Sequence, residues 1–236
     1  MDSKKSIFYN DLGQTVLEIS LVIGVLILVI ICVFPNLQNS IVKIFNTTTT
    51  VLSTGDITPV NVYFPNTHQF QDASSWIIVK GSFSIQDGVI SNSSTGENWA
   101  FANNFTGTDY SVDIRNAQLQ SGKGYGVWFR ADPNDGRANG YTFQYDPGYL
   151  NDEYRMCKWV NGFEQSPFIR VSASNFNWNE THHIKVDVVG NTFTAYIDDT
   201  AVLTGSDNTY TSGTAGIRTW NGTNLQFQDF TISDSS

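Results

Sequence analysis

One apolar segment, residues 16–34, constrains this chain more than any other feature of its sequence. The segment is almost continuously apolar and is interrupted only by Glu18, Ser20 and Gly24. A helix of this length spans a hydrocarbon core of about 30 Å, near the short end of the usual range. Two lysines precede it, so the positive-inside tendency places the N-terminus in the cytoplasm. The sequence therefore predicts a membrane helix with the bulk of the chain outside.

The segment is a poor secretory signal peptide, because it is long and no small-x-small cleavage site follows it. A plain single-span anchor is an alternative interpretation. Glu18 disfavours that alternative, since a carboxylate in a membrane helix costs about 2.5–3.5 kcal/mol at the helix centre and less near the interface. Cleavage after Gly13 would make Gln14 the N-terminus, one helical turn from Glu18. In a packed filament, the new amine of one subunit would then pair with the Glu18 carboxylate of its neighbour.

Residues 13–19, Gly-Gln-Thr-Val-Leu-Glu-Ile, together with the apolar run, resemble the prepilin peptidase recognition pattern of the type IV pilin superfamily. Pro35 falls where many type IV pilins carry a helix-kinking proline, and it also suits the end of a membrane span. Residues 39–46 resemble the end of Flp pilins, the small subunits of tight-adherence pili. Two departures concern the subfamily: Gln14 replaces the first aromatic of type IVa pilins, and Ile19 replaces the tyrosine of the Flp Glu-Tyr pair.

The resemblance implies a cytoplasmic leader, residues 1–13, that is removed by prepilin peptidase. It further implies a helix over residues 14–46 that serves as membrane anchor and then as filament core, with Glu18 and Pro35 contributing to assembly. The implied partners are prepilin peptidase, the pilus assembly machinery, the membrane before assembly and other copies of the chain. The implied location is the cytoplasmic membrane for the single-pass precursor and an extracellular pilus for the mature protein.

Residues 47–66 are rich in threonine and contain two prolines, which predicts a linker. From residue 67 onward, short alternating segments are separated by turns rich in Gly, Asn, Asp and Pro. The predicted strands are 111–115, 125–130, 141–145, 183–188, 192–197, 200–203, 215–219 and 225–232. The predicted fold class is mainly β: an antiparallel jelly-roll β-sandwich over residues 67–236, preceded by one long hydrophobic N-terminal helix.

The β-rich part resembles the concanavalin A-like, laminin G-like domains over residues 68–236. The resemblance is carried by residues 178–188, 193–199 and 213–218, which are similar to the later strands, and by 124–130 and 140–145, which fit the central strands. This fold hosts lectins, adhesins, glycosidases and structural modules, so the resemblance implies the fold and no single function.

Charge and motifs exclude several function classes. The net charge is −9 and the basic residues do not cluster, which disfavours nucleic-acid binding. Glycoside hydrolysis requires two carboxyls about 5–10 Å apart. No strand carries the E-x-D-x-x-E pattern of glucanases on this fold, and no cofactor motif is found, so we do not expect an enzyme. The sequence assigns the acidic residues to turns, loops or solvent-facing strand positions: Asp113, Asp152, Glu153, Asp187, Asp198 and Asp199.

Two candidate sites remain in the β-rich part. Oxygen-rich turns include Asp132, Asp135 and Asp146, and calcium takes six to eight such oxygens. Several laminin G-like domains bind calcium, so the resemblance makes these residues calcium candidates, although turn chemistry explains them as well. The second candidate is a set of aromatic residues that suits the recognition of sugars, with core packing as its alternative. Its members are Tyr145, Tyr149, Tyr154 and Trp159, in one stretch with Asp146 and Arg155, while Trp99 and Trp220 lie beside asparagines.

The leading hypothesis from the sequence is a structural subunit of a type IV or Flp-type pilus. The β-sandwich would be displayed on the filament surface, where it would coat the filament or contribute to adhesion. The alternative is a lectin-like adhesin for surface glycans, either membrane-tethered or on a minor pilin. A tethered glycan hydrolase is disfavoured, because paired carboxylates are not evident.

Overall fold

A computed structural model describes residues 61–64, 75–86, 89–92, 96–134, 136–147, 152–174, 176–220 and 222–235. The chain divides into two units, Met1–Pro59 and Val60–Ser236, and the described residues belong to the second. The expected leader and helix, with Gly13, Gln14, Glu18 and Pro35, lie outside them. In the described ranges, no helix is long and apolar enough to cross a membrane.

The described residues form sixteen β-strands. In chain order they are β1 (Val62–Phe64), β2 (Trp76–Lys80), β3 (Phe83–Gln86), β4 (Val89–Asn92), β5 (Asn98–Ala102), β6 (Tyr110–Ser121), β7 (Tyr125–Asn134), β8 (Arg137–Asp146), β9 (Glu153–Val160), β10 (Phe163–Glu164), β11 (Ile169–Ser172), β12 (His182–Val189), β13 (Thr192–Ile197), β14 (Thr200–Ser206), β15 (Thr214–Thr219) and β16 (Asn224–Ser233).

The strands make two antiparallel sheets of eight strands each. The first sheet has the order β14-β13-β12-β6-β16-β4-β3, with β1 also paired to β16. The second sheet has the order β10-β9-β8-β7-β15-β5-β2, with β11 also paired to β9. Neighbours such as β7 and β15 are distant in sequence, as expected for a jelly roll and not for a chain of simple hairpins. The β-sandwich predicted from the sequence is confirmed.

Alternating side chains from both sheets form the core between them. In β13, Phe193, Ala195 and Ile197 are buried and the residues between them are more exposed, which is the period of two that a strand imposes. The largest fully buried members include Tyr110 of the first sheet and Phe129 of the second. Burial of each such side chain contributes about 1.5–3 kcal/mol. The two sheets and their core lie within Val60–Ser236, so we expect this unit to fold by itself.

The second sheet is also covered on its outward face. Three indoles, Trp99, Trp128 and Trp159, pack there with ring centroids 4.9–5.4 Å apart. Phe101 packs against Trp128 in the same cluster. Strands β7 and β8 are consequently buried on both faces over most of their length. Polar side chains on this outward face therefore lie in largely desolvated surroundings.

The β-rich unit begins before the predicted end of the linker. Val62–Phe64 forms a strand that pairs with the end of β16, although the sequence assigned residues 47–66 to the linker. Asp234 fixes this strand, because its carboxylate accepts hydrogen bonds from Asn61 and Tyr63. An edge strand of three residues between prolines is too short to produce a recognisable alternation, which is why composition suggested a linker here.

Candidate functional site

The aromatic residues predicted to recognise sugars do not form an exposed platform. Tyr145 and Tyr154 are cross-strand partners on β8 and β9, and both side chains are buried in the core between the sheets. Trp159 is buried in the outward indole cluster. Tyr149 lies outside the described residues. The alternative interpretation of this stretch, core packing, is therefore correct for the three described members.

The predicted calcium ligands do not come together in the described part of the chain. Asp132 is exposed on β7 and pairs with Asn139 near the start of β8, whereas Asp146 is the last residue of β8. The strand between them separates the two carboxylates by roughly 20 Å. Asp135 lies outside the described residues, and the described ranges contain no group of three or more His, Cys, Asp or Glu that could hold a metal. Asp132 and Asp146 are therefore too far apart to bind one calcium ion together.

The outward face of the second sheet instead carries a network of charged side chains drawn from several strands. We call it the outer polar network. Its members are Glu97, Asp146, Glu153, Arg155, Glu164 and Arg218.

Strand register explains why these residues meet. Arg155 pairs with Gln144, Gln144 with Gly126, and Gly126 with Arg218, so the four residues form one row across β9, β8, β7 and β15. Gly126 leaves the centre of this row without a side chain. A Cβ atom there would lie 3.1 Å from both the Gln144 side chain and the carbonyl oxygen of Phe143. Glycine therefore lets the Gln144 side chain pack closely over the middle of the row.

Arg155 forms one half of the network. Its Nη2 lies 2.6 Å from Asp146 Oδ2 and 3.6 Å from Glu164 Oε1. Its Nη1 lies 3.8 Å from Glu153 Oε1. The side chains of Arg155, Asp146 and Glu153 are at most 10 % exposed. Short charge-assisted contacts of this kind are strong and orient both partners.

Arg218 forms the other half of the network, and its guanidinium is held by carboxylates and by indole rings. Its Nη2 lies 2.8 Å from Glu97 Oε1 and 3.2 Å from Glu164 Oε2, so Glu164 bridges the two arginines. The guanidinium is also stacked between two indoles, with centroids 4.6 Å away for Trp159 and 4.3 Å away for Trp220. Such cation–π contacts contribute about 2 kcal/mol or more where water is excluded. The guanidinium plane is therefore fixed.

Two buried atoms of the network lack a hydrogen-bond partner among the described residues. They are Arg218 Nη1, a donor, and Glu153 Oε1, an acceptor. A buried polar group without a partner costs about 1–3 kcal/mol, and more when charged. The network thus offers one fixed donor and one fixed acceptor, in a setting where four carboxylates face two guanidiniums. It is suited to recognising a ligand that both accepts and donates hydrogen bonds, as hydroxyl groups do.

The thiol beneath the network is not a nucleophile. Cys157 is fully buried on β9, and burial, reinforced by the nearby Glu164 carboxylate, raises the pKa of its thiol far above its usual range. A thiol that stays protonated is inert as a nucleophile.

The network was not predicted from the sequence. Glu153 was assigned to a loop, but it is the first residue of β9 and is buried. Asp187 was expected to face solvent, but it is buried and accepts a hydrogen bond from Ser111. One signal was available: Arg155 and Arg218 each lie inside a strand that is otherwise largely apolar or aromatic, where a charge requires partners. Trp220 and Trp99, noted as possible recognition residues, do lie at the network.

A family model described as the 3-keto-alpha-glucoside-1,2-lyase-like domain matches residues 64–233. The chain belongs to this family. Members of the 3-keto-alpha-glucoside-1,2-lyase-like family would thus share the two sheets described above, because the match covers nearly all of them.

A levanase from Bacillus subtilis (strain 168) is 24 % identical over 178 residues, which are 74 % of this chain and 25 % of the levanase. The chain therefore spans about a quarter of that relative. Among solved structures, the carbohydrate binding module CBM66 from Bacillus subtilis has a TM-score of 0.59 at 23 % identity, over 69 % of this chain and 96 % of the module.

The exoplasmic/lumenal domain of VIP36, in its Ca²⁺/Man3GlcNAc-bound form, has a TM-score of 0.57 at 11 % identity, over 71 % of this chain and 86 % of that domain. At these identities both structures bear on the fold, and they confirm the concanavalin A-like β-sandwich expected from the sequence.

Proposed function

We propose that the β-sandwich is a carbohydrate-binding domain and that its ligand meets the outer polar network. The observation that carries the proposal is the pair of buried, unpartnered atoms, Arg218 Nη1 and Glu153 Oε1. A sugar hydroxyl accepts from the first, and another hydroxyl donates to the second. Each contact would satisfy an atom of a charged group that has no hydrogen-bond partner among the described residues, and hydrogen bonds to charged groups contribute about 1.5–3 kcal/mol.

The likeness to a carbohydrate binding module and to a levanase supports this proposal. The charge balance narrows the ligand class. Four carboxylates lie among three guanidiniums, those of Arg155, Arg218 and the more exposed Arg170, so the network is net negative and a ligand with its own carboxylates would be repelled. We therefore propose neutral polysaccharides, with levan as the first to test.

We propose binding without catalysis, although the family description names a lyase. The four carboxylates do lie close to one another, which the sequence gave no reason to expect. Each of them contacts an arginine, however, and such charge-assisted contacts fix the position of the carboxylate. The network is thus better arranged to hold hydroxyl groups than to supply the two free carboxyl groups that glycoside hydrolysis requires.

The test is isothermal titration of the unit from Val60 onward with levan, a neutral β-glucan and a polyuronate. We expect heat from at least one neutral polysaccharide and none from the polyuronate. Repeating the titration with EDTA measures whether binding needs calcium. The absence of binding heat with every neutral polysaccharide, or the release of cleaved sugar during the titration, would contradict the proposal.

For the N-terminal segment we propose a pilin-like role, which would display the binding domain outside the cell on a filament. The supporting observation is the sequence around Gly13 and Gln14, with Glu18 at the fifth position after the cut. We predict that the mature protein begins at Gln14, because prepilin peptidase would remove the leader. Mass spectrometry of the native N-terminus checks this, and a mature chain that retains Asp2 would contradict it.

A further inference from the structure

A concave surface lies at the end of the second sheet away from the outer polar network. We call it the loop groove: it runs between residues 102–106 and 209–214 and has a volume of about 720 Å³. Its floor includes Ala131 and Asp132 of β7. Gly126, at the outer polar network, lies roughly 20 Å away along the same strand. The two surfaces are therefore separate sites.

A smaller groove of about 530 Å³ adjoins the loop groove. Both are lined by Phe105 and Ser212, and the smaller one extends to Tyr63, whose ring lies 5.6 Å from that of Phe105. Each volume falls within the range of about 300–1,000 Å³ that small-molecule sites occupy. Together they form an extended track, which suits a chain of linked units better than a single small molecule.

The wall formed by residues 207–213 is fixed in place. Asp207 accepts hydrogen bonds from the Tyr141 hydroxyl and from the backbone N–H of Thr209, and the Tyr141 oxygen accepts from the backbone N–H of Tyr210. Burial opposes ionisation of Asp207, but the hydrogen bonds from Thr209, Tyr141 and Lys158 outweigh it and lower the pKa of this carboxyl to about 2. These contacts therefore persist at neutral pH, and the groove is preorganised.

Arg130 ties the same wall to two neighbouring loops. This buried side chain donates to the carbonyl oxygens of Thr108 and Tyr210, and also to that of Gly190. Its guanidinium borders the groove, but these carbonyl oxygens and the Asp109 carboxylate, 3.6 Å away, already engage its charge. The rest of the polar lining of the loop groove includes the carboxylate of Asp132 and these hydroxyl and amide groups: Asn104, Asn139, Thr209, Thr211 and Ser212.

We propose that the loop groove is a second carbohydrate site, which binds an internal stretch of an uncharged polysaccharide. Partly exposed rings of Phe105 and Tyr210 offer flat apolar contacts, and the hydroxyl and amide groups around them exchange hydrogen bonds with sugar hydroxyls. The inference rests on the proposed function for its ligand class, but it uses different residues. Two sites on one domain hold a long polymer more tightly than either site does, because the second contact becomes intramolecular.

The test uses affinity electrophoresis of the full chain in gels that contain levan or a neutral β-glucan. Ser212→Trp fills both grooves from an exposed position, and Thr204→Trp, exposed on β14 of the first sheet, is the matched control. We expect Ser212→Trp to weaken retention about 100-fold, the low end of the gain that a second linked contact provides. Thr204→Trp should be retained as well as the unsubstituted protein.

If Ser212→Trp is retained as well as the control, the proposal that the loop groove binds carbohydrate is wrong. A second variant, Arg218→Met, separates the two sites. Weak residual retention of Arg218→Met that disappears in the double variant supports the groove. Full retention of Arg218→Met, with loss in Ser212→Trp, would support the groove and overturn the outer polar network as the main site. No retention of the unsubstituted protein in any neutral gel would overturn both proposals.

Discussion

Replacing Arg218 with methionine is expected to reduce the affinity for a neutral polysaccharide about 10- to 100-fold, which corresponds to the loss of a charged hydrogen bond of about 1.5–3 kcal/mol. Methionine retains apolar contact with Trp159 and Trp220 but offers no donor. The carboxylates of Glu97 and Glu164 also lose the cation that they share. Titration calorimetry measures the change.

The matched control for this variant is Arg115→Met. The Arg115 side chain is 57 % exposed on the first sheet and pairs only with the neighbouring Asp113 among the described residues. We expect its affinity to be unchanged, because exposed ion pairs contribute little. Thermal unfolding of both variants separates lost binding from lost structure. A folded Arg218→Met protein that binds as tightly as the control would exclude the outer polar network as the ligand site.

Replacing Arg130 with methionine is expected to lower the free energy of unfolding by about 3–5 kcal/mol, the range found when one member of a buried charged contact is removed. Three carbonyl oxygens, those of Thr108, Tyr210 and Gly190, would lose donors inside the protein. Arg130 also has a φ of +44°, a conformation that L-residues rarely adopt. Its side-chain contacts therefore offset backbone strain as well as satisfying the carbonyls.

Urea unfolding followed by tryptophan fluorescence measures this effect. Arg137→Met, which removes the same charge from an exposed position on β8, is the control and should change stability by less than about 0.5 kcal/mol. If the free energy of unfolding of Arg130→Met falls as little as that of the control, water replaces the arginine donors. The stability of the loops that contain Thr108, Gly190 and Tyr210 would then not depend on the Arg130 side chain.

The sequence predicted the fold because strand alternation is a local property. Thr192–Ile197 alternates on its own, and the turn before it contains Gly190, so the hairpin of β12 and β13 follows from adjacent residues. The concave sites depend on strand order, which is not local. Arg155 and Arg218 are separated by 63 positions and lie in one row only because β7 and β8 are placed between their strands.

The same argument explains why the aromatic residues that were predicted to bind sugars are buried in the core. Alternation tells which residues share a face of a strand, but not whether that face meets the other sheet. Tyr145 and Tyr154 share a face, as the sequence implied, and the fold turns that face toward the core. Asp146 and Arg155 stand at the neighbouring positions and take the outward face. The charged residues of the stretch, and not its aromatic rings, therefore belong to the surface proposed to bind sugars.

Strand β1 determines how mechanical load would enter the domain. The chain that arrives from Pro59 first meets the sandwich through Val62–Phe64, which pairs only with the final residues of β16 among the described strands. Asp234 ties that junction through Asn61 and Tyr63 at the surface. Tension from upstream would therefore peel a three-residue edge strand and leave the ladders of both sheets intact. Because Tyr63 also lines the smaller groove, load would first disturb that end of the proposed track and would leave the outer polar network in place.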